Sequence, residues 1–429
     1  MLSDEMKAGI GQPAQLSQVT VAGEPFYKIS NAGSMRPFFM TVVSHDNHWM
    51  FVASNGGISA GRKNANYALF PYYTDDKIID TAEITGSKTI VKIKRGEQWI
   101  VWEPFSMRSE AQFACQRNVY KSRYGNKIIF EEVNEQLGLA FSYQWSSSSV
   151  YGFVRHSYLR NIGAQPMDVE VLDGLQNILP YGVPPDLQTK TSNLADAYKR
   201  TELDAATGVG IFALSAIIVD KAEPSEALKT NVVWALGAEQ PLHLLSTQQL
   251  DAFRKGYPVS QELDIKGQKG CYFMAQHLHL EAGEQKTWML VANVNQNHAG
   301  LVWLMEEIRT NPRLMSLVEQ DIAAGQEQLI KMVAAADGLQ ATSDALKDTR
   351  HFSNVLFNIM RGGLFDDHYQ IEKWDFERYL YKANKLLYAQ VHSLLDTLPA
   401  SFTVMQLKQM AGASANLHIL RLATEYLPL

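Results

Sequence analysis

The chain has 429 residues, room for two or three domains, and its 46% hydrophobic and 20% charged composition is that of a globular rather than a disordered protein. Lys and Arg total 39 against 45 Asp and Glu, a formal charge of −6 with no basic block, which argues against nucleic acid and anionic membranes as partners. Cys115 and Cys271 are too few for a disulfide framework or a thiolate zinc site, residues 1–11 lack the apolar core of a secretory signal, and the uncharged stretch 205–219 is shorter than the ~20 residues of a membrane span, so a soluble, cytoplasmic protein is expected.

Up to about residue 295 the apolar pattern has a period of two. Residues 49–53 (Trp-Met-Phe-Val-Ala) form a nearly continuous apolar run, as a strand covered on both faces would, and Asn55-Gly56-Gly57 closes it with a turn. Residues 89–94 follow the two-residue period, 127–130 are again continuous, 167–171 alternate, and 288–291 are continuous. Many short strands without alternating helices predict antiparallel sheets packed on each other. Helical patterns at 186–203 and 247–255 read as excursions, the first following Pro180, Pro184 and Pro185.

From about residue 298 the period becomes 3.6. Asn311-Pro312 predicts a helix start, Leu314, Leu317, Val318, Ile322, Leu329, Ile330 and Val333 line one stripe, and Gly338 is placed to close it in a left-handed cap. A second helix is expected over 372–396, and a last one over 415–426. This divides the chain into a β domain, 1–297, and a helical region, 298–429. Leu417, Ile419, Leu420, Leu422, Tyr426, Leu427 and Leu429 make the final segment apolar, which reads as a face cut away from a partner domain, the alternative being a helix that docks back on its own domain.

Chemistry-bearing motifs are sparse. Gly57-Ile58-Ser59-Ala60-Gly61 matches the nucleophile-elbow pattern, yet the residues that follow carry no helical stripe, so a glycine-rich hairpin is favoured over a serine hydrolase built on Ser59. His277 and His279 share a strand face, and His45 and His48 flank a turn, but none falls in a metal-binding spacing, and no resident metal or organic cofactor is expected. The adjacent carboxylates Asp75-Asp76, Glu131-Glu132 and Asp366-Asp367 read as solvated turns and strand faces, and no catalytic residue is assigned. Trp49, Trp99, Trp102 and Trp145 are core candidates, any of which could instead offer a face to a sugar.

Residues 42–46 and 51–59, then 67–73, 102–105, 158–161 and 173–182, together resemble the N-terminal portion of the cellobiose-phosphorylase-like family, in a divergent branch. The resemblance implies a large antiparallel β-supersandwich, galactose-mutarotase-like in its fold, followed by a helical linker and the start of an α/α barrel. It implies Asn55, Arg62 and Tyr67 as substrate-binding residues around the Asn-Gly turn. In the family, inorganic phosphate is a co-substrate that attacks the anomeric carbon with inversion while a barrel aspartate protonates the leaving oxygen, and no carboxylate here inherits that role. The chain is therefore read as a non-catalytic accessory region of a glycoside phosphorylase-like protein. Its expected partners are an oligosaccharide, a downstream α/α-barrel domain and a second copy of itself in a homodimer. A stand-alone carbohydrate-binding sandwich is the alternative.

Overall fold

The computed structural model describes residues 13–96, 98–216, 218, 228–360 and 370–426. They fall into two compact units, Met1–Gln326 and Glu327–Leu429.

The first unit is built from antiparallel sheets. The largest has eleven strands, in the order Gln15–Val21, Glu24–Ser30, Gln116–Ser122, Ile128–Asn134, Leu139–Ser148 and Gly152–Asn161, then Gln285–Asn297, Lys229–Leu236, Val209–Leu214, Lys199–Asp204 and Asp264–Lys266. A five-stranded sheet runs Leu242–Leu244, Gly270–Leu280, Met167–Ile178, Gly86–Arg95 and Gln98–Trp102. A four-stranded sheet holds Phe39–Val42, His48–Ala53, Ile58–Arg62 and Ala68–Phe70. One core joins all three: Phe130, Phe141, Trp145 and Trp288 pack with Val91, Val171 and Met274, and with Met50, Ile58 and Leu69. This is the antiparallel β architecture that the two-residue period implies, because each strand sends alternate side chains to this shared interior.

A charged knot lies inside the core. Arg155 and Asp173 are fully buried and face each other through two N–H···O bonds of 3.0 and 3.1 Å. Thr89 and the Trp288 indole also donate to Asp173, each at 2.6 Å, and the Arg155 guanidinium lies 4.6 Å from the Tyr143 ring. Each carboxylate oxygen is thus satisfied, the condition under which a buried ion pair is tolerated. The opposite face of the large sheet is covered by helices. Val154, Val232, Trp234, Met289 and Val291 pack against Leu304 of helix His298–Thr310 and against Leu314, Val318 and Ile322 of helix Leu314–Ala335.

Several sequence expectations need correction. The helical pattern of 186–203 is two short helices, Pro185–Lys190 and Ser192–Tyr198, followed by the strand Lys199–Asp204. Lys199, Thr201 and Leu203 are buried in alternation there, a period of two that wins once the strand pairs with Val209–Leu214. In 247–255 only Leu250–Arg254 is helical. The helix expected to end at Gly338 stops at Ala335, and the left-handed residue is Asp337 (φ 56°). Gly338 is needed for space instead, since a Cβ there would meet Val333 at 2.3 Å.

The second unit contains the helices Ala345–Asn358, Lys373–Ala383, Lys385–Leu395, Val404–Ala413 and Leu417–Glu425, with a ribbon of Gln370–Glu372 paired to Ser401–Thr403. The single helix expected over 372–396 is broken at Asn384, which is extended (φ −158°, ψ 99°) and caps the next helix by accepting from the Leu387 N–H. Phe376, Leu380, Leu387, Val391, Leu395, Phe402 and Leu407 form its core. Ile419, Ala423 and Tyr426 of the last segment join that core, and the Tyr426 hydroxyl donates to Asp375 at 2.6 Å. One face of the last helix is therefore covered by its own unit, while Leu417 and Leu420 stay exposed, and Leu427 and Leu429 lie outside the described residues. Among the described residues no helix is long and apolar enough to cross a membrane.

Candidate functional site

A groove of about 600 Å³ opens on the helix-covered side of the large sheet, within the roughly 300–1,000 Å³ range of small-molecule sites. Antiparallel register builds it. Tyr120, Ile129, Gln144, His156 and Met289 stand opposite one another on five successive strands, and Glu131, Ser142 and Tyr158 form the neighbouring row. Because the side-chain period is two, both rows face the same way. Phe141, Tyr143 and Trp145, which alternate with Ser142 and Gln144, point into the core instead. Glu319, Ile322 and Ala323 of helix Leu314–Ala335 also line the groove.

The rings of His156 and Tyr158 stack with centroids 4.4 Å apart. Burial pushes the His156 imidazole down to about 4, so it is neutral at pH 7, and its Nε2 has no hydrogen-bond partner among the described residues. The Tyr158 phenol is pushed up to about 12, by burial and then by Glu319, so it keeps its proton. On the neighbouring strands, Tyr120 donates to Glu131 at 2.5 Å and Asn118 donates to the same oxygen at 2.8 Å. Burial and this carboxylate raise the Tyr120 phenol well above its ordinary range. Lys28 lies 4.0 Å from Glu131 and over the Tyr120 ring at 5.0 Å.

This arrangement offers stacked aromatic rings, neutral donors and acceptors, and apolar patches from Phe26, Ile129, Met289 and Ile322. Three carboxylates also line it: Glu131 accepts from Tyr120 and Asn118, Glu24 accepts from Lys127 at 2.6 Å, and Glu319 stands on the covering helix.

The residues singled out from the sequence lie elsewhere. Asn55 donates to the Ile79 carbonyl at 2.9 Å and accepts from the Gly57 N–H at 3.3 Å, shaping its own turn. Arg62 bonds Asp46 (2.6 Å), Asn47 (2.7 Å), Ser149 (3.2 Å) and Asn293 (3.3 Å). Tyr67 sits on the same hairpin as Arg62, with Lys63 over its ring at 5.9 Å and the Tyr181 ring at 6.1 Å. Asn55 stands at the far end of the Ile58–Arg62 strand, so the structure brings Arg62 and Tyr67 near each other but not Asn55.

Ser59 is fully buried in the middle of an antiparallel strand and donates to the Pro71 carbonyl at 2.7 Å, which corrects the serine-hydrolase alternative. The glycines of its motif serve packing: a Cβ on Gly57 would lie 2.0 Å from the Ile78 carbonyl, and one on Gly61 2.5 Å from that of Tyr67. His277 and His279 are exposed and share Asp168 at 3.4 and 2.9 Å. Among the described residues no three His, Cys, Asp or Glu side chains gather as around a metal ion. Glu131 and Glu132 point to opposite faces: Glu131 lines the groove, whereas Glu132 is buried and accepts from Trp102, Arg117 and the Phe105 N–H. Trp102 and Trp145 are core residues. Asp366 and Asp367 lie outside the described residues.

Residues 365–428 match a family model described as glycoside hydrolase family 149 insertion domain 1. No curated protein matches the sequence. Among solved structures, the chain is similar to a bacterial glucoamylase complexed with acarbose, at 9% identity and TM-score 0.38, covering 92% of this chain and 54% of that one. It is similar to a polysaccharide lyase at 11% identity and TM-score 0.35, covering 64% of this chain and 34% of the other. It also resembles a protein described as a kojibiose phosphorylase from the human microbiome, at 12% identity and TM-score 0.31, covering 73% and 35% respectively. The chain thus spans between 34% and 54% of the length of these three. The family likeness therefore concerns residues 365–428, within the second unit, and the first unit has no family match of its own.

Proposed function

We propose that this chain is the carbohydrate-recognition region of a glycoside phosphorylase-like protein, and that the groove beneath helix Leu314–Ala335 holds part of a β-linked oligosaccharide. The observation that carries the reading is the His156–Tyr158 stack within the two side-chain rows, in a chain whose second unit matches a glycoside hydrolase family insertion domain. A pyranose presents an apolar ring face and a rim of hydroxyls. The first suits the aromatic and aliphatic lining, and the second suits Gln144, Ser142, Tyr158 and the unpartnered His156 Nε2. In this reading inorganic phosphate is a co-substrate of the whole enzyme, inversion is carried out by an acid on a downstream α/α barrel, and the protein works in the cytoplasm, in keeping with a homodimer. This chain by itself binds without turnover.

The experiment incubates the chain with β-linked gluco-oligosaccharides and inorganic phosphate and follows sugar phosphate release. No release is expected. Release of sugar phosphate by the wild-type chain would contradict the reading, and its survival in Glu131→Gln and Tyr158→Phe would place that catalysis outside the groove.

A further inference from the structure

A second groove, of about 560 Å³, lies in the first unit where the strands Gly86–Arg95 and Met167–Ile178 meet the short helices Met107–Glu110 and Leu250–Arg254. Four cations from four separate segments line it: Lys88, Arg108, Arg254 and Lys269. Two of them are matched. Lys88 lies 2.8 Å from Glu83 and 3.0 Å from Glu103, while Arg254 reaches Glu103 and Asp251, each at 2.6 Å. The three carboxylates leave the cluster of seven groups with one positive charge in excess. That excess stands at the rim, where among the described residues neither the Arg108 guanidinium nor the Lys269 ammonium has a hydrogen bond or ion pair. Both side chains are exposed.

One further lining residue is unusual. Asn177 is only 3% exposed and adopts a left-handed backbone (φ 56°), at the bulge where the pairing of Met167–Ile178 with Gly270–Leu280 shifts register. Its Nδ2 donates to Thr85 at 2.8 Å, and its Oδ1 has no partner. Turning the amide over would only exchange the unpaired atom, because Thr85 offers one hydroxyl. A strained non-glycine residue with an unpaired buried amide is costly, and such costs are kept where surrounding structure imposes them for a purpose.

We propose that this groove binds a phosphoryl anion, with Arg108 and Lys269 closing on its oxygens and the Asn177 amide turned over, so that Oδ1 accepts from the Thr85 hydroxyl and Nδ2 donates to the ligand. Arginine matches phosphate with a planar pair of donors and lysine supplies a point charge. The Glu83–Lys88 and Asp251–Arg254 pairs neutralise the carboxylates that would otherwise repel the ligand. The shared chemistry fits inorganic phosphate and the phosphate of a hexose monophosphate. The site is distinct from the oligosaccharide groove and does not depend on it.

The test is a calorimetric titration of the full chain with inorganic phosphate, and separately with a hexose 6-phosphate, at 50 and 500 mM chloride. Saturable one-site binding is expected, weakened at the higher salt and at least tenfold in the doubly substituted Arg108→Ala, Lys269→Ala protein. Asn177→Gly, which accepts the left-handed backbone freely, is expected to keep the melting temperature and lose affinity. Tighter binding of the hexose phosphate identifies a phosphosugar ligand, and equal or weaker binding identifies free phosphate. A wild-type titration without saturation, or one left unchanged by both the double substitution and Asn177→Gly, overturns the proposal. Oligosaccharide affinity is read in the same proteins, so a failed oligosaccharide titration leaves the phosphate result standing by itself.

Discussion

The buried Arg155–Asp173 pair makes the most quantitative demand on the fold. Asp173 accepts from Arg155 twice, from Thr89, from Trp288 and, at 3.4 Å, from Ser157. Asp173→Ala removes the only carboxylate bonded to Arg155 among the described residues and strands a fully buried guanidinium, together with the Trp288 and Thr89 donors. Breaking one partner of such a pair costs about 3–5 kcal/mol, a large share of the roughly 5–15 kcal/mol that stabilises a typical domain. Replacing both members by apolar residues of similar volume, as in Arg155→Met with Asp173→Leu, removes the stranded charge and is expected to recover most of that loss. Equilibrium urea unfolding, followed by fluorescence of the buried tryptophans of the first unit, reads all the variants. If Asp173→Ala loses less than about 1 kcal/mol, or the double variant is no better than the single, the charged knot does not hold the sheets as described.

Other consequences are equally direct. His48 is pushed down to about 3, by burial first and then by the Arg62 charge, so the unfolded chain protonates before the folded one. Stability is then fully present above about pH 6.5 and falls as the pH drops toward 3, by about 1.4 kcal/mol per unit, and His48→Gln should flatten that slope in pH-dependent unfolding curves. Ser59→Ala should cost about 1–2 kcal/mol through the unsatisfied Pro71 carbonyl, and a fluorophosphonate probe should label neither protein. Gly174→Ala places a Cβ 2.1 Å from the Tyr272 carbonyl and should unfold the first unit or lower its melting temperature by many degrees. Tyr426→Phe should cost about 1 kcal/mol in the second unit by removing the bond to Asp375.

Much of the β architecture was legible because alternation is a local property. The run 167–171 shows its two faces by itself, whereas Thr89 and Lys92 of the run 89–94 are buried with their apolar neighbours, and the change of period near residue 298 marks where helices begin. What was not legible depends on partners. Lys199–Asp204 extends a helical pattern until a neighbouring strand offers a ladder, and Asn384 interrupts a helix whose apolar stripe continues through it. The groove escaped for the same reason. Ser142 and Gln144 look like ordinary polar positions, and only the register that sets Gln144 opposite Ile129 and His156 assembles them into a lining. The alternation of Ser142 and Gln144 with Phe141, Tyr143 and Trp145 was the available signal, and it identified a two-faced strand without saying what the polar face meets. The Gly-x-Ser-x-Gly motif was legible as a hairpin because no helical stripe follows it, and close backbone approach accounts for its glycines.

Calorimetric titration of the chain with a linear β-linked gluco-oligosaccharide, alongside Tyr158→Ala and Gln144→Ala, tests the carbohydrate reading most directly. Saturable binding at one site, lost or weakened at least tenfold in both variants while their unfolding midpoints hold, is the expected result. Absence of binding to the wild-type chain, or binding that neither substitution changes, would contradict it.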